Sequence, residues 1–160
     1  MAREILTKTQ KRFISLLAED KFMCRRFYLT GGTALAAYYL KHRYSEDLDF
    51  FSYDDVDVLG VDVFLKKIKK ELKIRKIDFE QSFNRNLYFL HTNREILKIE
   101  FTYFPFESVE KHAKKDNIYI DSLLDIAVNK AFTVSQNPRA RDFVDIYFIL
   151  QRNKNLIFSN

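Results

Sequence analysis

Two carboxylates one residue apart, Asp47 and Asp49, carry the strongest chemical signal in the chain. Side chains alternate across a strand, so in an extended segment both acids project from one face, while Leu48 and Phe50 take the other. Carboxylates held side by side repel each other unless a cation lies between them. An oxygen-only donor set of that kind suits Mg²⁺ or Mn²⁺, which bind few carboxylates and leave room for phosphate oxygens. Upstream, Gly31 and Gly32 follow the apolar run Phe27-Tyr28-Leu29-Thr30 and precede a helix-like stretch, Thr33 to Leu40. Glycine lets a ligand approach the backbone closely, and the N–H groups that open a helix favour an anion. One strand end therefore offers a phosphate cradle and the next strand offers metal ligands.

Other elements must hold these two features together. The spacing of apolar residues predicts helices over 3–20 and 63–72, with 21–26 as a connector and 54–62 as a surface loop. Runs at 74–83, 86–91 and 96–104 read as strands separated by turns at Asn84 and Asn93, and Pro105 ends the last. Asp121-Ser122 caps a helix to Ser135, and Asn137-Pro138 opens a final one. That last helix is apolar nearly all round, which predicts burial. The expectation is a single domain over 1–160, with a core at 27–104 and a helical hairpin at 121–152. Its class is α/β, a mixed sheet of about four to five strands with flanking helices.

The 160 residues are 47% hydrophobic and 31% charged, which suits a globular domain and excludes a disordered tail. The net charge of +5 is compatible with nucleotide or nucleic-acid partners without specifying them. No apolar run is long enough to span a bilayer. The single cysteine, Cys24, excludes an intrachain disulfide framework and suits a reducing cytoplasm. The lysines at 66, 67, 69 and 70 read as a solvated helix face.

Four ordered motifs give the chain a resemblance. They are Gly31-Gly32-Thr33-Ala34-Leu35 followed by Arg43, Ser45, Asp47 and Asp49; Lys98-Ile99-Glu100-Phe101; Asp125 with Lys130; and Arg141-Asp142-Phe143-Val144-Asp145. In this order the chain resembles the nucleotidyltransferase-fold toxins of the AbiEii/AbiGii type, within the DNA polymerase β-like superfamily. The resemblance implies the nucleotidyltransferase fold and transfer of a nucleoside monophosphate from a nucleoside triphosphate to an acceptor. RNA such as a tRNA 3′ end is the acceptor it suggests, and a toxin–antitoxin or phage-defence role, with a cognate antitoxin, is the setting.

It also implies roles. Asp47, Asp49 and Glu100 would hold Mg²⁺ or Mn²⁺, with Asp78 or Glu80 as rivals for the third place. Gly31, Gly32, Thr33, Arg43 and Ser45 would bind the triphosphate. Lys130 would contact phosphate, and Asp142 and Asp145 would act with it. On residue chemistry alone Arg43 reads equally as a surface arginine, Lys130 as a lysine reaching to water, and Asp142 as a partner of Arg139 or Arg141. A non-catalytic nucleotide- or RNA-binding module on the same scaffold is the alternative function, and a metal-dependent phosphotransferase or nuclease is a further one.

Overall fold

Strand β2 (Leu48–Ser52) lies at the centre of the sheet, and the rest of the chain is arranged about it. In the computed structural model, which describes residues 4–157, α1 (Lys8–Glu19) and α2 (Lys21–Arg26) lead into β1 (Tyr28–Thr30). Helix α3 (Gly31–Ala34) follows without a break and continues as a π-wound segment, Leu35–Leu40, ended by Lys41 in the left-handed region. After β2 come α4 (Val58–Ile68), β3 (Lys76–Ser82), β4 (Arg85–His91) and β5 (Ile96–Tyr103). The short pair β6 (Ala113–Lys115) and β7 (Ile118–Ile120) precedes α5 (Leu123–Gln136) and α6 (Ala140–Ile157).

Among the described residues the strands form one seven-stranded mixed sheet in the order β3-β4-β5-β2-β1-β7-β6. The pairs β2–β5 and β1–β7 are parallel, and the other neighbours are antiparallel. Alternation divides the two faces. Leu29, Leu48, Phe50, Ile99 and Phe101 join Phe13, Leu17, Phe64 and Leu65 of α1 and α4 in the buried core. Ring pairs such as Phe50–Phe101 and Phe13–Phe64 fill part of the core, while Phe79, Phe83, Phe106, Phe132, Phe143 and Phe148 are exposed. The opposite face carries Asp49 and Glu100.

The expected α/β class stands, and several details are corrected. Arg3, where the first helix was expected to begin, lies outside the described residues; α1 starts at Lys8 behind a reciprocal cap between Thr7 and Gln10. The connector at 21–26 is a helix, because Asp20 accepts from the N–H groups of Phe22 and Met23 and starts a new turn. The loop expected at 54–62 becomes helix from Val58, with Asp57 accepting from Gly60 N–H at 3.0 Å. Strands β6 and β7 were not foreseen. Each is three residues long, too short for a periodicity, and their turn uses Asp116 and Asn117 at φ 50° and 61°.

Helix α6 departs from the expected all-round burial. Phe143, Tyr147 and Leu150 are more than half exposed, while Asp142 and Asp145 are wholly buried. The helix turns its acidic side inward because the cations it must meet, Lys130 and Arg43, are inside. No described helix is long and apolar enough to cross a membrane.

Candidate active site

The floor of the site is a row of residues in register. Asp49 on β2 lies opposite Thr30 on β1 and Glu100 on β5, so Asp49 and Glu100 share a face on adjacent strands. Burial, and then the negative charges of Glu100 and Asp47, push the Asp49 carboxyl up to about 6. Gly31 stands directly over it. Its φ is +74°, and a Cβ there would come 2.6 Å from Asp49 Oδ2, so both conformation and space require glycine.

Asp47 precedes β2 and is held through its backbone. The Thr33 hydroxyl donates to the Asp47 carbonyl and lies 2.7 Å from Ser45 Oγ. Gln10, wholly buried on α1, donates from Nε2 to the carbonyls of Ser45 and Glu46, each at 3.0 Å. The Asp47 carboxylate faces two cations, Lys98 at 3.5 Å and Arg141 at 3.7 Å.

Above the floor, Thr30 uses its hydroxyl on Asp121 Oδ2 at 2.8 Å and makes no side-chain cap to α3. The first N–H groups of that helix, at the glycine pair, are therefore uncapped beside the carboxylates, an arrangement that favours an anion. Asp121 also explains how β7 contributes. Its N–H donates to Leu29 O at 2.8 Å, which fixes the start of α5 against the end of β1. Ser122 then caps the helix, and Asp125 accepts from Ser122 Oγ and from the N–H groups of Val109 and Glu110. Burial raises the Asp125 carboxyl, but those hydrogen bonds outweigh it and hold it below the usual range.

The facing wall is a buried ionic cluster. Lys130 Nζ on α5 is 2.8 Å from Asp142 Oδ1 and 2.8 Å from Asp145 Oδ2, both on α6. The Arg43 fork reaches Asp145 at 2.7 and 2.8 Å, and His42 Nε2 lies 2.6 Å from Asp145 Oδ1. Arg139 donates its backbone N–H to Asp142 Oδ2 at 3.0 Å. Burial raises both acids, yet their cationic partners hold both below the usual carboxylate range, Asp145 far below it. Floor and wall enclose an open cavity of about 590 Å³.

The acids of the floor test whether a divalent cation fits. Asp47 and Asp49 supply the right oxygen donors, and a cation would relieve the repulsion that raises Asp49. Glu100 does not join them in this arrangement. Both of its oxygens bind Arg85, at 2.7 Å from Nε and 2.7 Å from Nη2, and Oε1 also accepts from Thr102 at 2.8 Å. Among the described residues no group of three His, Cys, Asp or Glu side chains converges as a metal site.

The expected residues thus occupy different places. Gly31, Gly32, Arg43, Ser45, Asp47, Asp49, Glu100, Lys130 and Asp142 line the one cavity. Thr33 and Asp145 do not reach it as substrate ligands. Both are wholly buried with their oxygens engaged, so they position Asp47, and Lys130 with Arg43, respectively. The rivals Asp78 and Glu80 are on β3 at the sheet edge, with β4 and β5 between them and β2, and Asp78 pairs with Lys76 and His91. Residues the sequence left unmarked are Gln10, His42 and Arg85. Gln10 carries a capping-box signal but none for its hold on the Asp47 loop, and Arg85 shows its role only through strand register.

Comparison with known proteins gives the family and supports the fold. The model of the family described as nucleotidyl transferase AbiEii toxin, Type IV TA system, matches residues 15–158. The chain belongs to that family. It is 31% identical over 132 residues to the uncharacterized protein aq_aa25 of Aquifex aeolicus (strain VF5), covering 82% of this chain and 61% of that protein. Among solved structures it is similar in fold to JHP933 of Helicobacter pylori, with TM-score 0.67, 23% identity, and coverage of 90% of this chain and 64% of the other. The Megavirus polyadenylate synthase matches with TM-score 0.59 and 15% identity, over 89% of this chain and 31% of its own. This AbiEii-family chain spans less than two thirds of the length of each of these relatives.

Proposed function

We propose that this AbiEii-family chain moves a nucleoside monophosphate from a nucleoside triphosphate to the hydroxyl of an RNA acceptor, such as a tRNA 3′ end. The observation that carries the reading is the uncapped Gly31-Gly32 helix start standing directly over Asp49 and sharing one cavity with Lys130. The backbone at the glycines, with Arg43 and Lys130, would bind the triphosphate. The acceptor oxygen would form a bond to the α-phosphorus as the bond to the β-phosphate oxygen breaks, releasing pyrophosphate. The hydroxyl proton would pass to the carboxylate floor.

Asp47 and Asp49 would hold Mg²⁺ or Mn²⁺, joined by Glu100 once it is free of Arg85; such an ion supplies neutralisation of phosphate charge. Arg85, Arg139 and Arg141 line the same cavity and give it the cations a polyanionic acceptor needs. The family's description as a Type IV toxin supports a toxin role with a cognate antitoxin. Phage defence and a cytoplasmic location complete the proposal.

The test is transfer of label from each of the four nucleoside triphosphates to total cellular RNA, with Mg²⁺ and with EDTA. Label should enter RNA only with Mg²⁺, and Asp47→Asn should abolish it without changing the melting temperature. Unchanged transfer by Asp47→Asn removes the reading. The cations that already face Asp47 and Glu100 favour one second reading, a binding module without catalysis. That reading requires RNA binding in EDTA that Asp49→Ala leaves intact, with no label transferred.

A further inference from the structure

Among the described residues, Arg85 is the cation that hydrogen-bonds the third carboxylate. It is the first residue of β4, beside a turn in which Phe83 has φ 52°. Its side chain is about half exposed, at 53%, whereas the carboxylate it holds is 11% exposed. The guanidinium lines the same cavity as Gly31, Asp49 and Lys130. A planar fork that satisfies a carboxylate in two parallel bonds satisfies a phosphate equally well. Lys130 is different: it is buried between two acids that both bind it at 2.8 Å, so it is fixed in place.

We propose that Arg85 is a polyphosphate-binding residue that the free protein keeps on Glu100 and passes to the nucleotide. When the triphosphate enters, the guanidinium exchanges Glu100 for phosphate oxygens. Glu100, freed, completes the donor set with Asp47 and Asp49. The free protein therefore offers a divalent cation two carboxylates, one of them facing Lys98 and Arg141. The polyphosphate supplies the third by removing Arg85, so anion and cation bind with positive coupling. By linkage that coupling acts equally in both directions. The inference rests on the phosphate-binding part of the reading above and not on transfer itself.

The test uses two probes and reads no transfer. Mn²⁺ binding to the free protein is followed by electron paramagnetic resonance, and inorganic tripolyphosphate binding in EDTA by calorimetry. Arg85→Ala should bind Mn²⁺ at least about fivefold more tightly than wild type and tripolyphosphate at least about fivefold more weakly. Glu100→Gln, which removes the competing charge but not the shape, should bind tripolyphosphate more tightly than wild type. A merely structural Arg85–Glu100 pair predicts the opposite for Glu100→Gln, since loss of the anchor would disorder the arginine. Unchanged Mn²⁺ binding in Arg85→Ala, or unchanged or weaker tripolyphosphate binding in Glu100→Gln, overturns the proposal. If Arg85→Ala does not fold, Glu100→Gln decides alone. These shifts in a protein that labels no RNA would keep the inference and remove the reaction; label transfer without the shifts would do the reverse.

Discussion

Lys130 and Asp145 meet at 2.8 Å across the α5–α6 pair, and the same carboxylate grips Arg43 from the loop before β2. One buried acid thus ties two helices to the segment that carries the floor. Charges taken out of water in this way are tolerated only while paired, and removing one partner strands the others. Asp145→Ala should destabilise the protein by about 3–5 kcal/mol, because Arg43 loses its carboxylate and Lys130 loses one of its two. Urea unfolding measures this. A loss under about 1 kcal/mol would mean that water reaches Lys130 and Arg43 freely.

The same residue sets an acid limit. The folded Asp145 carboxyl lies below its unfolded value: burial opposes the shift, and Arg43, His42 and Lys130 outweigh it. A depressed folded value stabilises above the unfolded one, near 4, and the contribution is lost as pH falls below that. Wild type should therefore lose this stability only below about pH 4, and Asp145→Asn should show a flatter decline there. Melting curves from pH 7 to 2 provide the check.

Asp49 has the opposite sign. Its folded carboxyl is raised to about 6, so its opposition to folding grows as pH rises from the unfolded value near 4 and is complete above about 6. In EDTA, Asp49→Asn should exceed wild type in stability at pH 7.5, by roughly 1–3 kcal/mol. The gap should close as pH falls through about 6 toward 4. A constant gap across that range would show that burial, Glu100 and Asp47 do not act on this carboxyl as argued.

Gly31 should be intolerant of alanine for two reasons at once. The positive φ costs about 1–2 kcal/mol for a residue with a side chain. The new Cβ would also displace Asp49 Oδ2, since the unshifted separation is 2.6 Å. Gly31→Ala should stay folded, with a modest fall in melting temperature, and lose label transfer and tripolyphosphate binding. Retention of both at wild-type levels would show that the close approach over Asp49 is not needed.

Gln10 is distant in sequence and should still matter. Gln10→Ala removes two bonds to the loop before Asp47, at the carbonyls of Ser45 and Glu46. Stability should fall by about 1–3 kcal/mol. Transfer should weaken because Asp47 is no longer fixed. Normal transfer at reduced stability would limit Gln10 to a purely structural role.

Local rules settled a definite part of this protein. The place of Asp49 on the polar face of its strand, the glycine pair at the strand-to-helix turn and the cap that starts α5 are each fixed within a few residues. Alternation, positive φ and capping act over that range, so Asp49, Gly31 and Ser122 were legible in the chain. Tertiary structure decided what depends on meeting at a distance. The β4–β5 register brings Arg85 opposite Thr102, beside Glu100, and no local pattern contains that register. Packing of α6 on α5 turned Asp142 and Asp145 inward and left Phe143 and Tyr147 outside, against the apolar count of the helix. Burial of a charge is decided by whether its partner is already inside, and that partner is 12 residues away for Asp142 and 102 for Asp145 with Arg43.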